Sequence, residues 1–245
     1  MASQKEWFDE WFNTPYYHIL YKNRDYTEAQ LFIDNLIAFL GISPEHKLLD
    51  LACGKGRHSI YLNHKGLDVE GIDLSEESIN YAKQFENDRL HFSRHDMRIP
   101  YKHHYFDFVL NMFTSFGYFK TDHEDMFAIE AIAECLKDGG YLVLDYFNTY
   151  KVTNSLPIKE EIFRDEMKFD IHKYVDNGFV KKDISFQADG KQHLFTESVK
   201  ALKRSDFQRY FEGTGLKVIH ILGSYSLDKF DKETSDRMIF IVQKV

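Results

Sequence analysis

The sequence predicts an α/β fold in which a doubly wound, seven-stranded, mostly parallel sheet receives an antiparallel β insert after its fifth strand. Short apolar segments alternate with segments of helical periodicity over the first two-thirds of the chain, which is the pattern of a parallel sheet covered by helices. After Phe147 the pattern changes. Residues 158–202 alternate apolar and polar side chains, and Asp189-Gly190 is a strong signal for a two-residue hairpin turn. Helix and strand patterns return after residue 204, so one insert interrupts one sheet.

Helices are predicted ahead of the first strand. The apolar side chains that recur there at helical spacing are Trp7, Phe8, Trp11 and Phe12. Residues 25–28 have the pattern of a capping box, with Asp25 as N-cap and Glu28 reaching back, and they open a helix that ends near Leu40. We therefore interpret residues 1–44 as a helical lid that precedes the sheet.

Seven strands are predicted for the sheet. They span residues 47–52, 68–72, 90–94, 106–112, 141–146, 216–221 and 238–243. The fourth of these segments is apolar on both faces, as expected of a central parallel strand. Between the strands, Ser75 caps a helix that reaches about residue 85, and further helices cover residues 122–136 and 205–211.

The composition fits an enzyme-sized globular domain. The 245 residues are 43% hydrophobic, which is enough to build one domain of residues 1–245 with an inserted lobe at residues 147–204. The formal net charge of −8 disfavours sequence-independent binding to nucleic acid. No apolar run approaches the ~20 residues that span a membrane, and the first residues do not form a signal peptide. Because Cys53 and Cys135 lack metal-ligand spacing, a cytoplasmic protein without a metal site is expected, and its oligomeric state stays open.

The most informative segment lies at the end of the first strand. Residues 48–57 read as an apolar strand that enters a glycine-containing turn and then a helix, and residues 69–73 read as a second strand that ends in an acid. Gly54 and Gly56 allow backbone conformations that are closed to other residues, and they let a ligand approach the main chain. Asp73 follows near the ~20-residue offset at which an acid reaches ribose hydroxyls. The segment therefore predicts a site for an adenosine-like ribose.

The spacing also restricts which nucleotide binds. A dinucleotide fingerprint requires a third glycine where this chain has Ser59, and no segment has the spacing of a P-loop. The turn instead reads D-x-A-x-G-x-G, with Asp50 at the end of the strand. A carboxylate at that point repels pyrophosphate and suits a ligand with positive charge. The alternative is a tight strand–helix turn that binds no ligand, and the presence of Asp50 together with Asp73 argues against it.

This pattern resembles motif I of the class I S-adenosylmethionine-dependent methyltransferases, and the resemblance covers residues 45–145 and 205–245. It implies a Rossmann-like fold and S-adenosyl-L-methionine as the cofactor, with S-adenosyl-L-homocysteine as its product. Within that family the chain resembles small-molecule methyltransferases of the aminosugar N-methyltransferase type. The residues that carry this closer resemblance are Tyr17, Tyr21, Arg24, Asp25, Tyr26, Glu28 and Ala29, then Asp96-Met97-Arg98, and then residues 112–118.

The resemblance implies a role for each matching residue. Asp50 lies beside the amino-acid portion of the cofactor, Asp73 accepts from the ribose hydroxyls, and Asp96 accepts from the adenine amine. The other residues that the resemblance places at the cofactor are Tyr17, Tyr21, Arg24 and Tyr26, which close over it; Ala52, Gly54 and Gly56, whose backbone lies against it; Leu74 and Met97, beside adenine; and Asn111, Met112 and Phe113, near the methyl donor.

Several of these residues also have an ordinary structural explanation. Tyr17 and Tyr21 lie at positions i and i+4, so they could form a packed helical face. Asp96 could cap a loop, and Phe113 and Phe116 could belong to the core or to a cavity wall. The sequence leaves these alternatives open.

Methyl transfer from a sulfonium depends mainly on the alignment of donor and acceptor, an effect that reaches ~7–11 kcal/mol in favourable systems. A base is needed only when the nucleophile arrives protonated. Amine-methylating relatives commonly have a histidine where this chain has Tyr118, and a tyrosine of ordinary pKa, ~10, is a poor base at neutral pH. We therefore take Tyr118 and Tyr17 as candidate catalytic residues, with Tyr118 orienting the acceptor rather than deprotonating it.

Three classes of function remain. The resemblance favours an N- or O-methyltransferase of a small-molecule acceptor, with no nucleic-acid or membrane partner. A protein or nucleic-acid methyltransferase is the second class, although enzymes of exocyclic amines in nucleic acids share a [DNS]-P-P-[YF] motif and residues 111–114 contain no proline. The third class is a non-catalytic module that binds the cofactor. The insert at residues 147–204 is expected to cap the acceptor site, and no motif in it identifies the acceptor.

Overall fold

The computed structural model describes residues 7–22 and 26–245, apart from the side chains of Asp9 and Tyr26. The strands are β1 Lys47–Leu51, β2 Asp68–Asp73, β3 Leu90–Arg94, β4 Phe106–Asn111, β5 Leu136–Phe147, β6 Ile158–Arg164, β7 Met167–Asp176, β8 Phe179–Ala188, β9 Lys191–Lys200, β10 Leu216–Leu222 and β11 Arg237–Lys244. The α-helices are α1 Trp7–Trp11, α2 Pro15–Leu20, α3 Tyr26–Leu40, α4 Arg57–His64, α5 Glu76–Ala82, α6 Asp122–Cys135, α7 Thr149–Ser155 and α8 Arg204–Phe211, and a 3-10 turn follows α5 at Lys83–Phe85. Within the described ranges, no helix is long and apolar enough to cross a membrane.

The larger sheet has seven strands in the order β10-β11-β5-β4-β1-β2-β3. Strands β1 to β5 pair in parallel, whereas β11 lies between β5 and β10 and is antiparallel to both. The chain winds outward from β1 in one direction and from β4 in the other. The carboxyl ends of β1 and β4 therefore flank a topological switch point, where open α/β sheets bind their ligands. The predicted fold class is confirmed.

Helices cover both faces of this sheet. Alternate residues of a strand point to opposite faces, so Leu142 and Leu144 enter one hydrophobic cluster while Val143 enters the other. The first cluster includes Phe207 of α8 and residues of α6, and the second includes Phe32 of α3 and residues of α4 and α5. Because both faces are covered, the central strands read as continuous apolar segments.

The insert after β5 is an antiparallel sheet of four strands in the order β6-β7-β8-β9. One face of this sheet packs against α1 and α2. The buried residues of that contact are Trp11, Leu20, Phe169, Ile171, Ile184 and Phe186. The alternation that predicted the insert thus comes from a sheet with one apolar face, and the N-terminal helices cover that face.

The structure differs from the sequence prediction around β5. The strand begins at Leu136, which pairs with Phe106, rather than near residue 141. Helix α7 was not predicted, because its sequence TYKVTNS is rich in β-branched residues and has poor helix propensity. Tertiary contacts override that propensity, since the buried Thr149 donates its hydroxyl to the carbonyl of Leu202. The predicted N-cap Asp25 lies outside the described residues.

Candidate functional site

The turn after β1 lies at the switch point and has an unusual backbone. Ala52, Gly54 and Gly56 all have positive φ, at 62°, 55° and 79°. A β-carbon built on Gly54 meets no atom within 4 Å, so this glycine faces open space. A β-carbon on Gly56 meets the ring of Phe92 at 2.6 Å, so that glycine faces the core. Of the two, only Gly54 leaves room for a ligand against the main chain.

Asp73, at the end of β2, fixes this turn. Its Oδ2 accepts the N–H of Gly54 at 2.8 Å, and its Oδ1 accepts the N–H of Ser75 at 2.8 Å. Burial raises the pKa of the Asp73 carboxyl above its ordinary value. A carboxylate can accept about four hydrogen bonds. With a further backbone contact from Leu74, Asp73 still has capacity for a ligand's hydroxyl, and it lines both cavities at this edge of the sheet.

Asp50, the third residue before Cys53, is a buried carboxyl behind the same turn. Its Oδ2 accepts the hydroxyl of Ser59 at 2.6 Å, and its side chain reaches the lining of a cavity. Burial raises the pKa of Asp50 to about 6, with a smaller contribution from the charge of Asp73. Burial also raises the pKa of the Cys53 thiol, which makes it an unreactive core side chain.

Two adjoining cavities open at this edge of the sheet. Both are lined by Phe12, Ala52, Asp73, Ser115 and Tyr118. The first has a volume of about 590 Å3, including space that opens to solvent, and it is mostly apolar; its lining also includes Leu74, Asp96 and Met97. The second encloses about 1660 Å3, including space that opens to solvent, and its lining includes Tyr17, Tyr21, Asp50, Gly54, Phe113 and Glu197.

Helices α1 and α2 lie over the second cavity and form what we call its roof. A polar cluster around Glu197 of β9 connects this roof to the insert. Trp11 donates from Nε1 to Oε1 of Glu197 at 2.7 Å, and the hydroxyl of Tyr21 lies 2.6 and 2.8 Å from the two carboxylate oxygens. Lys182 of β8 donates to the Tyr21 hydroxyl at 2.6 Å. Tyr17 packs its ring against Tyr21 with centroids 4.9 Å apart. These tyrosines are therefore both a packed helical face and part of the cavity lining.

Asp96 borders the first cavity but is strongly engaged within its own loop. Arg98 donates to it from Nη2 at 2.6 Å and from its backbone N–H at 2.9 Å. Burial acts to raise the pKa of Asp96, but the hydrogen bonds from Arg98 outweigh it and lower the pKa. The loop-capping interpretation and the cavity position are thus both seen in the structure.

Tyr118 stands where the two cavities meet. Its hydroxyl donates to the carbonyl of Thr114 at 2.6 Å, and its ring contacts Trp7 at a centroid distance of 5.4 Å and Phe8 at 6.3 Å. The hydroxyl hydrogen is therefore directed at the protein backbone, and the phenolic oxygen can act as an acceptor.

Some of the predicted site residues lie elsewhere. Asn111 is fully buried behind the sheet edge, where its amide donates to the carbonyls of Leu51 and Ser115, and it lines neither cavity. Gly56 also lies outside both linings. Arg24 falls outside the described residues, and so does the side chain of Tyr26.

Sequence reasoning missed the group that holds the loop after β4. Phe113 and Thr114 both have positive φ, at 58° and 60°. Such a backbone costs of order 1–3 kcal/mol per residue and persists only when its surroundings hold it. The surroundings here are the buried Asp145 of β5 and Arg237 of β11. An acid inside the apolar run of β5 was the one available signal in the sequence.

The buried Asp50 predicts a pH-dependent affinity for a cationic ligand. In the folded state the pKa of the Asp50 carboxyl is raised to about 6, so it keeps its proton between about pH 4 and pH 6. In the unfolded chain the same carboxyl has lost its proton over this range. The unliganded protein therefore loses stability, by about 2–3 kcal/mol, as pH rises from about 4 through 6. A ligand with an ammonium group favours the ionised form, so its affinity should increase through the same range.

Calorimetry with S-adenosylhomocysteine at pH 5 and pH 7.5 tests this expectation. We expect tighter binding at the higher pH, with proton release near pH 6 that depends on the ionisation enthalpy of the buffer. Asp50→Asn should remove both the proton release and most of the pH dependence. If the affinity changed with pH to the same extent in the unchanged protein and in Asp50→Asn, the assignment of the titrating group to Asp50 would be contradicted.

Comparison with known proteins shows a family match for part of the chain. Residues 48–140 match a family model described as a methyltransferase domain. The YqeM protein of Bacillus subtilis (strain 168), described as a methyltransferase, is 36% identical over 114 residues, which cover 45% of this chain and 46% of that protein. The dTDP-3-amino-3,4,6-trideoxy-alpha-D-glucopyranose N,N-dimethyltransferase of Streptomyces venezuelae is 34% identical over 127 residues, which cover 51% and 52%. The matched part thus spans about half the length of each of these curated relatives.

The fold is shared over nearly the whole chain. A crystal structure of a S-adenosylmethionine-dependent methyltransferase from Clostridium acetobutylicum ATCC 824 superposes with a TM-score of 0.77 at 24% identity, over 93% of this chain and 95% of that one. A switch-point turn with an open glycine and a strand-end acid is typical of a nucleotide-binding site in an α/β protein. The chain contains a methyltransferase domain at residues 48–140, as its motif around Asp50 and Gly54 predicts.

Proposed function

We propose that this protein transfers a methyl group from S-adenosylmethionine to a nitrogen or oxygen of a small-molecule acceptor. The observation that carries this proposal is that the two cavities adjoin and share part of their lining. Ala52, Asp73, Ser115 and Tyr118 line both, so a donor in the first cavity directs its reacting end towards the second. Because α1, α2 and β9 border the second cavity, its form suits a small acceptor.

The first cavity and its margin suit the cofactor. The apolar walls at Leu74 and Met97 offer a surface for adenine, and Asp73 lies where it can accept from ribose hydroxyls. Gly54 leaves open space beside the main chain for the amino-acid portion, and the carboxyl of Asp50 lies near that space. When bound, the cofactor supplies an electrophilic methyl on a sulfonium.

The protein's own contribution to the reaction is alignment. The side chains of Tyr118 and Phe113 border the second cavity, where an acceptor meets the donor. With its hydrogen directed at the carbonyl of Thr114, the oxygen of Tyr118 can accept from an acceptor N–H or O–H. Tyr118 and Tyr17 would then orient the nucleophile and exclude water, which is where most of the rate gain in such a displacement arises.

A small amine is the form of acceptor that the relatives support best. The Streptomyces venezuelae relative is described as an N,N-dimethyltransferase of an aminosugar nucleotide. The net charge of −8 argues against a nucleic-acid substrate, because such enzymes need a basic surface. A protein methyltransferase and a module that only binds the cofactor are the competing classes.

Ligand-dependent melting and turnover test the proposal together. S-adenosylmethionine and S-adenosylhomocysteine should raise the melting temperature, because a ligand that binds only the folded state stabilises it, and NAD should not. Turnover is then measured with small amines, alcohols and acids of similar size, and separately with a protein extract and with RNA. S-adenosylhomocysteine is the detected product in each case. Methylation confined to the macromolecules would overturn the small-molecule proposal. Binding without any turnover would favour the non-catalytic module.

Asp73→Ala should weaken cofactor binding. A hydrogen bond to a charged group contributes about 1.5–3 kcal/mol, so the dissociation constant should rise roughly 10- to 150-fold. Because the same carboxylate holds the N–H of Gly54, the melting temperature must be measured beside the affinity. Asp68→Ala, which removes a carboxylate from the far end of β2, is the matched control. An unchanged dissociation constant in Asp73→Ala would leave this residue a purely structural role.

A further inference from the structure

The bend at Phe113-Thr114 shapes the acceptor side of the site. Phe113 lines the second cavity, and its ring stacks on the imidazole of His58 with centroids 4.6 Å apart and planes at 18°. Both bend residues have left-handed backbone conformations, which are rare for a phenylalanine and rarer for a β-branched threonine. The bend is therefore not what the local sequence prefers, and something else must hold it.

Asp145 holds the bend from the neighbouring strand. Its Oδ2 accepts the N–H of Phe113 at 2.7 Å, and its backbone carbonyl accepts the N–H of Thr114 at 3.0 Å. The side chain of Asp145 is fully buried. A single residue thus holds two consecutive amides of the bend, through two different groups.

Arg237 completes the arrangement from the other side of β5. Its Nε donates to Oδ1 of Asp145 at 2.8 Å, and its Nη2 donates to the hydroxyl of Thr114 at 2.9 Å. Tyr225 donates its hydroxyl to Oδ2 of Asp145 at 3.2 Å, and the guanidinium lies 5.4 Å from the centre of the Tyr225 ring. The planar guanidinium can reach both partners at once from fixed positions, which an ammonium group cannot do.

The position of these contacts indicates that they shape the site and do not only stabilise the fold. A buried ion pair adds little to stability by itself, because desolvation offsets the attraction. Here, however, the second donor of Arg237 ends on the cavity-lining loop rather than on another core element. The same loop is held at its far end by Tyr118, which donates to the carbonyl of Thr114.

We infer that Arg237 is a positioning residue for methyl transfer, acting through Asp145 and Thr114 to keep Phe113 on the wall of the acceptor cavity. This inference rests on the proposed function. According to this inference, β11 helps to align the acceptor although Arg237 does not contact the acceptor.

The test compares Arg237→Lys and Thr114→Val with Lys102→Met. Lysine at 237 keeps the charge but cannot serve both partners, and valine at 114 removes only the hydroxyl that Arg237 contacts. Lys102 pairs with Glu70, away from both cavity linings, so its loss is the control for breaking an ion pair. Amide exchange at residues 113 and 114 is measured in each protein, and this readout does not require turnover.

In Arg237→Lys we expect exchange at residues 113 and 114 to accelerate by about 10- to 150-fold, the effect of losing one hydrogen bond to a charged group. Exchange in β4 should not change, and Lys102→Met should leave the bend unchanged. With an acceptor from the turnover panel, kcat should fall in Arg237→Lys and Thr114→Val while KM for S-adenosylmethionine stays within about twofold.

Two results would overturn the inference. One is exchange at residues 113 and 114 that is unchanged in Arg237→Lys. The other is acceleration that extends equally through β4, β5 and β11, which is the signature of a purely structural pair. Failure of the proposed function would give a different result. Exchange at residues 113 and 114 would then change in Arg237→Lys as expected, but the unchanged protein would show no turnover with any acceptor.

Discussion

Lys200→Met is expected to lower the free energy of unfolding by about 3–5 kcal/mol, the loss seen when one partner of a buried ion pair is removed. Lys200 is 6% exposed, and its ammonium contacts the carboxylate of Asp125, which is fully buried on α6. A second carboxylate, that of Asp122, lies 3.3 Å away. Without the ammonium, Asp125 must stay charged in the core or take up a proton.

The position of Lys200 makes this pair a joint between the insert and the larger sheet. Lys200 is the last residue of β9, its N–H donates to the carbonyl of Gly117 at 2.8 Å, and its own carbonyl accepts the hydroxyl of Tyr146. Burial raises the pKa of Asp125 to about 6 even though Lys200 acts to lower it. The desolvation of this carboxylate is therefore only partly offset, so removal of the lysine alone should be costly.

Chemical denaturation of three variants measures the effect. Lys173→Met removes one partner of a more exposed ion pair in the insert and should change stability by less than about 1 kcal/mol. The double variant Lys200→Met/Asp125→Leu replaces both buried charges with apolar groups and should recover most of the loss. A single Lys200→Met variant as stable as Lys173→Met would show that the buried pair is not the joint we describe.

Trp11→Ala should release the N-terminal helices from the insert. The indole is 1% exposed, its ring lies 4.6 Å from that of Phe195, and its N–H donates to Glu197. Replacing a buried tryptophan by alanine costs about 3–5 kcal/mol. Because α1 and α2 are short, that amount is large relative to what holds them in place, and we expect local opening rather than loss of the whole fold.

Amide exchange over residues 7–22 provides the measurement. In the unchanged protein, S-adenosylhomocysteine should slow exchange there if these helices act as a lid, while β4 should hardly respond. Trp11→Ala should accelerate exchange over the same residues and weaken ligand binding. Phe127→Ala, which removes an aromatic ring that is 50% exposed on α6, is the control. Slow exchange over residues 7–22 without ligand and in Trp11→Ala would instead indicate a static structural helix pair.

Removing all residues before Tyr26 extends this test of the lid. The truncated protein should keep a folded sheet, because the strands pair without α1 and α2. It should lose turnover, since the second cavity then lacks its roof. Loss of the fold in the truncated protein would show that the N-terminal helices are part of the core.

Much of the fold could be predicted from the sequence because the signals for it are local. Apolar strands, the hairpin dipeptide Asp189-Gly190 and the N-cap Ser75 each act within a few residues, and all three appear at the expected places. Helix α7 and the early start of β5 depend instead on contacts distant in the chain, such as the hydroxyl of Thr149 with Leu202. No local pattern encodes such contacts.

The candidate site shows the same division. Asp50, Gly54 and Asp73 lie within one turn and two adjacent strands, so their spacing was sufficient to bring them together. The residues that hold Phe113 and helices α1 and α2 in place come from distant parts of the chain. Arg237 meets Asp145 only because β11 enters beside β5, and Glu197 meets Trp11 only because the insert folds back on α1. Those pairings required the topology.

The place of β11 in the sheet has a consequence for the synthesis of this protein. β11 lies between β5 and β10 and pairs with both, although it follows both of them in the chain. Until residue 244 has been made, β5 has an unpaired edge and the bend at Phe113 lacks Arg237. A nascent chain can therefore build the turn at Gly54 early, but it completes the Phe113 wall of the second cavity only after β11 has been made. Chains that end before β11 should retain part of the site around Gly54 and lack an ordered wall at Phe113.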